Sequence, residues 1–351
     1  TIYKLNDNRL SIEIFLNEGY KYYFRNITWV GNSKYSSKEL SKVLGIKKGD
    51  VFDQSQLESR LFMNPNSTDV SSLYMDDGYL FFNINPVEIL VEKDSIDIEM
   101  RVSEGKQATI NKITVTGNTK TNDRVVMREI RTRPGQLFRR SDIIRSQREL
   151  AQLGFFDPEK LSVNPVPNPQ TGTVDIDYVV EEKASDQLEL SGGFGGGRVV
   201  GTLGVSFTNF SARNMFKSNA WRPLPSGDGQ RLSIRAQSNG LFYQSYNFSF
   251  TEPWLGGRKP NAFSFSIYHN VQTNGQRKKV GGESNLLRQD INITGMSFGL
   301  GQRLKWPDDY FTRYLEISGE QYQLNNFRSV FSFTDGTAYN IAATFNLQRN
   351  S

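Results

Sequence analysis

The first half of this chain repeats itself at an offset of 86 residues, and this duplication restricts the possible folds more than any other feature. Glu18-Gly19 recurs as Glu104-Gly105, and Gly31-Asn32 recurs as Gly117-Asn118. The offset falls to 76 at later positions, so the first copy carries about ten extra residues around 63–72. A repeat this long exceeds the roughly 20–50 residues of stacked-repeat families and predicts two small domains in tandem. Apolar positions also correspond, in the pairs Phe24/Ile110, Ile27/Ile113, Trp29/Val115, Leu40/Val126, Leu44/Ile130 and Leu57/Ile143.

Each copy is predicted to fold in the order β-α-α-β-β. Ser36 or Ser37 can cap a helix that ends at Gly45, and Asp53 can cap a second helix, which Pro65 should break. Two helices would then cover one face of a three-stranded sheet. The predicted elements are strand 22–30, the two helices, a helical segment 70–75 and strands 80–91 and 96–102 in the first copy. In the second copy they are strand 108–116, helices 121–131 and 140–153, and strands 160–166 and 173–181.

Composition excludes several classes of protein. No run approaches the ~20 apolar residues of a membrane helix, so a helical membrane protein is not expected. The absence of cysteine excludes disulfides, thiol catalysis and zinc-thiolate sites. The net charge of +5 suits an anionic membrane surface or an acidic partner and is too small and dispersed to indicate nucleic acid. No basic-then-apolar leader follows Thr1, so any secretory signal is expected to be missing from this sequence.

The second half changes character near Lys183–Ser185, where Gly, Ser, Asn and aromatic residues become frequent. About eight segments of 8–12 residues then alternate between apolar and polar side chains. Alternation fits both a soluble β-sandwich and a transmembrane β-barrel. The barrel is favoured because one face is nearly free of charge. Aromatic residues also gather near segment ends, as interfacial girdles do: Trp221, Trp254, Tyr310 and Tyr314.

The alternation predicts the facing of individual residues. Leu188, Leu203, Leu232, Phe248, Phe265 and Phe345 should face lipid, and Glu189, Arg231, Arg235 and Asn340 should face the lumen. Ile291 and Ile293 are out of phase with the alternation that follows them, so a β-bulge is expected at Gly295.

The motifs of the two repeats resemble those of POTRA domains. They comprise a V-x-G-N turn at 115–118, a P-G-x-x-F step at 134–138 and a helix end at 150–155, with counterparts at 30–32, 48–52 and 74–79. The junction 180–183, the Gly-rich stretch 192–197, Asn209-Phe210 and Thr251-Glu252-Pro253-Trp254 resemble the start of the barrel in BamA-type outer-membrane assembly factors. The resemblance covers essentially the whole chain.

The resemblance implies a fold and a location. The fold class is α+β tandem POTRA units (β-α-α-β-β) followed by an antiparallel transmembrane β-barrel, of which this chain carries an N-terminal half of about eight strands out of 16. The barrel would lie in the bacterial outer membrane, with the POTRA units in the periplasm. Segment 10–18 aligns with the last strand of the first copy and reads as the tail of a preceding unit. The predicted domains are 1–20, that tail; 21–105 and 106–184, the two POTRA units; and 185–351, the half-barrel.

The resemblance also implies a function, which is insertion of β-barrel proteins into the outer membrane. The first barrel strand would be a lateral gate that templates client strands by β-augmentation. It would comprise Gln187, Leu188, Glu189, Leu190, Ser191, Gly192, Gly193, Phe194 and Gly195. Expected partners are unfolded outer-membrane protein clients, periplasmic accessory lipoproteins and outer-membrane lipids. The alternative is a two-partner secretion pore or another POTRA-barrel transporter.

Arginines dominate the charge of the second unit. Two interpretations stay open for them, a solvated helix face and a docking surface for an acidic partner. The candidate docking residues are Arg124, Arg128, Arg131, Arg133, Arg139 and Arg140.

Enzymatic readings find little support. His269 is the single histidine and falls within an alternating strand, and no G-x-S-x-G elbow occurs. The glycines at 192–197 precede neither a helix nor a Lys-Ser/Thr pair, so they do not form a nucleotide loop. We therefore expect no catalytic residue, no cofactor and no metal.

Overall fold

The structure is a computed structural model that describes residues 2–5, 9–16, 20–62, 64, 68–195, 197–221, 224–329 and 331–349. Predictions on Glu18-Gly19, Pro65 and Gly196 lie outside these residues. By density of contacts the chain divides into two compact units. One comprises 1–113 with 132–144 and 165–176, and the other comprises 114–131 with 145–164 and 177–351. The predicted domain limits at 20, 105 and 184 follow the repeats instead, and stay predictions.

The first repeat has the predicted elements. A hairpin, β1 (Ile2–Leu5) and β2 (Arg9–Ile12), precedes it. Ser36 and Glu39 form a capping box, and Gly45 ends the first helix in the left-handed conformation. Asp53 and Asp69 cap the next two helices. The elements are β3 (Tyr23–Val30), α1 (Ser37–Leu44), α2 (Gln54–Leu61), α3 (Val70–Met75), β4 (Asn83–Glu92) and β5 (Ser95–Ser103).

The core of the first repeat lies between its helices and a sheet of order β3-β5-β4, in which β3 runs parallel to β5 and β4 antiparallel to it. Residues at alternate positions of β5, Ile96, Ile98, Met100 and Val102, are buried against apolar side chains of the helices. The alternation read from the sequence therefore marks the core face of this strand.

The second repeat has the same order of elements, with shorter helices than predicted. They are β6 (Thr109–Thr116), α4 (Asp123–Glu129), α5 (Arg140–Gln152), β7 (Ser162–Asn168) and β8 (Thr173–Val179), and the sheet order is β6-β8-β7. Helix α4 is confined to seven residues because Asn122 and Ile130, which flank it, are both extended.

A carboxylate holds the glycine turn in each repeat, a feature that the sequence motifs did not reveal. Glu182 accepts hydrogen bonds from the backbone N–H groups of Lys120 and Thr121 and from the Thr119 hydroxyl. Glu104 accepts equivalent bonds from Ser33 and Lys34. Burial alone would raise the pKa of Glu182, but the bonds from Thr121, Thr119 and Lys120 outweigh it, and the pKa lies below its usual value.

Replacing Glu182 with Gln is expected to destabilise the second repeat by about 1–2 kcal/mol at pH 7, because charge-assisted bonds are lost and one N–H group faces another donor. Since the folded-state pKa is depressed, this contribution is complete above about pH 4.5 and disappears as the pH falls through the folded-state pKa. Urea unfolding at pH 7 and at lower pH measures both effects. The neighbouring Glu181→Gln, which removes one exposed ion pair with Lys160, is the control and should change stability by less than about 0.5 kcal/mol.

The second half forms one antiparallel sheet of eight strands, as the alternation predicts. Its order follows the chain from β9 at one edge to β18 at the other. The strands are β9 (Gln187–Gly195), β10 (Arg198–Phe210), β11 (Gln230–Ser238), β12 (Tyr243–Glu252), β13 (Asn261–Thr273), β16 (Asp290–Arg303), β17 (Phe311–Asn325) and β18 (Gly336–Arg349). A small hairpin, β14 (Lys279–Val280) and β15 (Glu283–Ser284), interrupts the connection from β13 to β16.

The two faces of the sheet separate apolar from polar residues in successive rows. One row across the strands comprises Leu188, Val205, Ile234, Phe248, Ile267, Met296, Gly319 and Ile341. The next row, on the opposite face, comprises Glu189, Gly204, Arg235, Asn247, Tyr268, Gly295, Glu320 and Asn340. Leu203, Leu232, Phe265 and Phe345 share the apolar face and Arg231 the polar face, so every residue is grouped as the alternation predicts.

The prediction of a β-bulge at Gly295 is wrong. Strand β16 pairs with β13 and β17 without any shift of register. Gly295 lies on the polar face beneath the ring of Tyr268, where a Cβ atom would overlap that ring. Ile291 is out of phase because it is buried on the polar face opposite its strand partner Leu324. A shift of register occurs instead where β10 pairs with β11, between Phe207 and Phe210.

No helix among the described residues has both the length and the apolar character needed to cross a membrane.

Candidate functional site

The candidate client-binding strand is an edge of the eight-stranded sheet. Strand β9 covers Gln187–Gly195, the predicted range, and pairs only with β10 among the described strands. All nine residues take part in that pairing, from Gly195 opposite Arg198 to Gln187 opposite Ser206. The second edge of β9 therefore presents main-chain donors and acceptors without a partner in this structure.

The register of the hairpin decides which residues point to that open edge. Only two residues separate Gly195 from Arg198, so this closing pair exchanges both of its main-chain hydrogen bonds. Hydrogen-bonded pairs recur at every second residue, which directs the N–H groups of Leu188, Leu190, Gly192 and Phe194 outward. Their side chains lie on the apolar face, where the Leu190 residue is 80% exposed.

The glycines leave the middle of the hairpin without side-chain contacts. Gly192 lies opposite Gly201, and a Cβ atom added at Gly192 or Gly193 would meet nothing within 4 Å. Glu189 of β9 forms an exposed ion pair of 2.7 Å with Arg235 of β11. An exposed pair of this kind adds less than about 1 kcal/mol. Around Gly192 and Gly193, strand β9 is thus joined to the sheet mainly by its backbone.

Arg124 and Arg128, two candidate docking residues, are engaged within the chain. Arg124 forms an ion pair with Asp228, which lies in the connection between β10 and β11. Arg128 donates to the Asp228 carbonyl at 3.2 Å, and Asn122 donates to the Asp228 carboxylate at 2.8 Å. Asp228 also accepts from the Ser211 hydroxyl at 2.7 Å, and its side chain is only 4% exposed.

Arg131 is engaged as well, in a second ionic cluster. It pairs with Glu149 at 2.8 Å and with Asp309 at 3.1 Å. Arg145 bridges the same two carboxylates, and Arg303 of β16 reaches Glu149 at 3.3 Å. Helices α4 and α5 are therefore held to the connections 224–229 and 304–310 by buried or half-buried ion pairs.

Arg140 contacts the ten-residue insertion of the first repeat. Its guanidinium donates to the hydroxyls of Ser71 and Ser72 at 3.1 and 3.2 Å and lies 3.6 Å from the carboxylate of Asp69, which is fully buried. The insertion thus supplies the polar groups that bind Arg140, the first residue of α5. The structure changes the interpretation of Arg124, Arg128, Arg131 and Arg140, which contact side chains or loops far away in the sequence, whereas Arg133 donates to the neighbouring Thr132 carbonyl at 2.9 Å. Arg133 and Arg139 remain exposed.

Three of the four aromatic residues predicted as an interfacial girdle make polar or cation–π contacts within the chain. Trp254 donates its indole N–H to Glu129 of α4 at 2.6 Å, and Arg145 stacks over Tyr310 at 4.5 Å. Tyr314 lies on the polar face and shares a hydrogen bond of 2.8 Å with Ser264. The girdle prediction is wrong for Tyr314, which lies on the polar face of the sheet, and stays a prediction for Trp254 and Tyr310. The Trp254 indole and the Tyr314 hydroxyl have polar partners far away in the sequence, and the Tyr310 ring lies against Arg145. Trp221 stays exposed, at 48%.

Burial shapes the ionisation of the groups in this junction. Desolvation raises the pKa of Glu129, although the Trp254 indole and Arg128 oppose it. Burial also raises the pKa of Asp228, but hydrogen bonds from Ser211 and Arg124 outweigh it, and the net pKa is below its usual value. Among the described residues no cluster of three or more His, Asp or Glu side chains is placed to hold a metal ion.

Replacing Asp228 with Asn is expected to loosen the attachment of α4 to the 224–229 connection by about 2–3 kcal/mol, since it leaves Arg124 without its ionic partner. Because the folded-state pKa of Asp228 is depressed, the wild-type protein should lose the same contact as the pH falls below about 3.8. Hydrogen exchange of α4 and of 224–229 measures the change. The exposed Asp186→Asn is the control. Unchanged protection of both segments in Asp228→Asn would contradict the assignment.

Comparison with known families identifies the repeats. Residues 22–105 and 108–183 each match the family model of the POTRA domain, described as a surface antigen variable number repeat. The chain carries two tandem POTRA domains.

Relatives extend the similarity beyond the POTRA domains. The chain is 26% identical over 298 residues to the outer membrane protein assembly factor BamA of Neorickettsia risticii, covering 82% of this chain and 37% of that protein. It is 26% identical over 250 residues to BamA of Neisseria meningitidis, covering 70% of this chain and 28% of that protein. A putative outer membrane protein assembly factor of Treponema pallidum is 25% identical over 265 residues, covering 75% of this chain and 29% of that protein. The chain thus spans about a third of the length of these relatives.

The fold agrees with a solved structure. BamA from Haemophilus ducreyi lacking POTRA domains 1–3 superposes with a TM-score of 0.66 over 94% of this chain and 60% of that chain, at 19% identity. The resemblance to BamA-type factors is therefore confirmed, as is the fold class of POTRA domains followed by a large antiparallel sheet that matches part of the BamA barrel.

Proposed function

We propose that this chain is part of a factor that assembles and inserts β-barrel proteins into the bacterial outer membrane, with its POTRA domains in the periplasm. Strand β9 is the lateral gate in this proposal, and a client strand adds to its open edge. The relatives named above are outer membrane protein assembly factors, and the fold matches BamA. The proposed activity involves no catalytic residue and no cofactor.

The observation that supports the gate is the lack of side-chain contacts in the middle of the edge strand β9, where Gly192 lies opposite Gly201. Hydrogen bonds between backbones do not depend on side-chain identity, so such an edge suits clients of many sequences. The glycine-rich middle of the strand leaves the space around it free. The apolar face of the sheet, with side chains such as Leu190, Ile341 and Phe345 largely exposed, fits a surrounding of lipid.

Disulfide trapping in the full-length protein tests the gate. The chain has no cysteine, so Ser191→Cys introduces a unique thiol on β9. Clients carrying one cysteine in their terminal strand should form a mixed disulfide with Ser191→Cys during insertion. Ser249→Cys is the matched control, because Ser249 has strand partners on both sides, Ser233 and Ser266. Trapping at both positions with equal yield would disprove the gate and would suit a pore that conducts clients through its lumen.

The finer partner proposal concerns periplasmic accessory lipoproteins. Arg133 and Arg139 of the second POTRA domain are the arginines that support it, because both side chains are exposed to solvent. Arg133→Glu with Arg139→Glu should weaken capture of an acidic accessory subunit, and more at low salt than at high salt. Lys47→Glu with Lys48→Glu, exposed in the first POTRA domain, is the control. Unchanged co-purification in the arginine variant would show that Arg133 and Arg139 belong to a solvated surface and not to a docking site.

A further inference from the structure

Three connections of the eight-stranded sheet lie at the end that contacts α4 and α5. They are residues 211–221 and 224–229 after β10, 253–260 after β12 and 304–310 after β16. They meet there because the strands are antiparallel and follow the chain order, which returns every second connection to the same end. Contacts of Asp228, Trp254 and Asp309 with the two helices identify this end.

Each of the three connections exposes a large apolar side chain. Phe216 is 89% exposed, Trp306 is 83% exposed and Leu255 is 48% exposed. In the first connection, the Trp221 indole donates to the Met215 carbonyl at 2.9 Å, which holds the turn that carries Phe216. Exposed apolar side chains at the border of an apolar sheet face are typical of a membrane interface.

Among the described residues of these connections, the charged side chains outside ion pairs are all positive. Arg213, Lys217, Arg258, Lys259 and Lys305 are exposed, and none has a carboxylate within ion-pair distance in the part of the chain that the structure describes. The acidic residues of the same connections are already paired: Asp228 with Arg124, Asp308 with Arg349, and Asp309 with Arg131 and Arg145. Because these carboxylates are neutralised by their partners, the five exposed cations give this surface a positive charge that attracts anions.

We propose that these three connections bind anionic phospholipids of the leaflet at this end of the barrel. Phe216, Leu255 and Trp306 enter the interfacial layer, and the five cations contact lipid phosphates. Two observations select lipid over a soluble anion. The cations alternate along the chain with exposed apolar groups, and the connections join strands whose apolar face is itself exposed. The proposal rests on the proposed placement of the sheet in a bilayer.

Lipid-selective quenching in the full-length protein tests this inference. Ser218→Cys, next to Lys217, carries a fluorescent label, and the protein is reconstituted in vesicles that mix phosphatidylcholine with a minor fraction of phosphatidylglycerol. The bromine quencher is placed on one lipid or on the other. The label should report phosphatidylglycerol enriched about fivefold over the bulk composition, and high salt should reduce the enrichment.

Variants with Gln in place of the cations show which residues bind the anionic lipid. Replacing Arg213, Lys217, Arg258, Lys259 and Lys305 with Gln should bring the quenching by the two lipids to the bulk ratio. Replacing Lys21, Lys38, Lys42, Lys47 and Lys48 with Gln, five exposed lysines before and within the first POTRA domain, is the matched control and should leave the enrichment intact. Bulk-ratio quenching in the wild type, or enrichment that survives in the first variant, would overturn the inference. A protein that inserts into neither kind of vesicle would instead contradict the proposed function.

Discussion

Replacing Gly192 with Pro is expected to slow client insertion about tenfold, while Gly192→Ala inserts clients at close to the wild-type rate. Proline removes the outward N–H group of Gly192, one of the donors that an added client strand would use. One main-chain hydrogen bond contributes about 0.5–1.5 kcal/mol, and the expected tenfold change in rate corresponds to the upper end of this range. The inward pairing of β9 with β10 stays intact because Gly192 belongs to a non-hydrogen-bonded pair.

The alanine variant isolates the donor from the side chain. A Cβ atom at position 192 would meet nothing within 4 Å, so Gly192→Ala keeps the N–H group without a steric penalty. Insertion of a model client into vesicles containing each full-length variant gives the rates. Thermal unfolding shows whether the barrel itself is intact. Equal rates for the proline and alanine variants, with both barrels folded, would show that clients do not use this edge.

Gly117→Ala is expected to destabilise the second POTRA domain by about 2–5 kcal/mol, the largest effect of any single change considered. Gly117 has φ +91, a conformation that costs other residues about 1–2 kcal/mol. A Cβ atom there would also overlap the carbonyl oxygen of Val180, and overpacking against backbone typically adds about 1–3 kcal/mol. Gly31, at φ +88 against the Val102 carbonyl, predicts the same effect in the first POTRA domain.

Gly135→Ala separates the two contributions. Gly135 has a similar φ of +83, but a Cβ atom there would meet nothing within 4 Å. This variant should lose only the conformational part, about 1–2 kcal/mol. Hydrogen exchange of β6 and β8 measures the free energy of local opening in both variants. If both lose the same stability, the close approach of Gly117 to Val180 is not what requires glycine.

The sequence alone was sufficient for the elements and for the faces of the sheet. Ser36, Asp53 and Gly45 act on backbone groups within four residues, so their roles can be read locally. The same holds for the alternation of Leu188 with Glu189, because successive side chains of a strand point to opposite faces. Strand β9 has the limits, Gln187–Gly195, that were predicted for the first strand of the barrel.

The tertiary structure determined the partners of the polar groups. Arg124 meets Asp228 across 104 residues, Arg131 meets Asp309 across 178, and Trp254 meets Glu129 across 125. Gly295 marks the close approach of Tyr268 from another strand, which a single-strand pattern reads as a bulge. Periodicity and capping depend on neighbours in sequence, whereas ion pairs and close contacts depend on which distant segments the fold brings together. The sequence therefore determined the strands and helices of this protein, and only the fold determined which of its charges stay free for a partner.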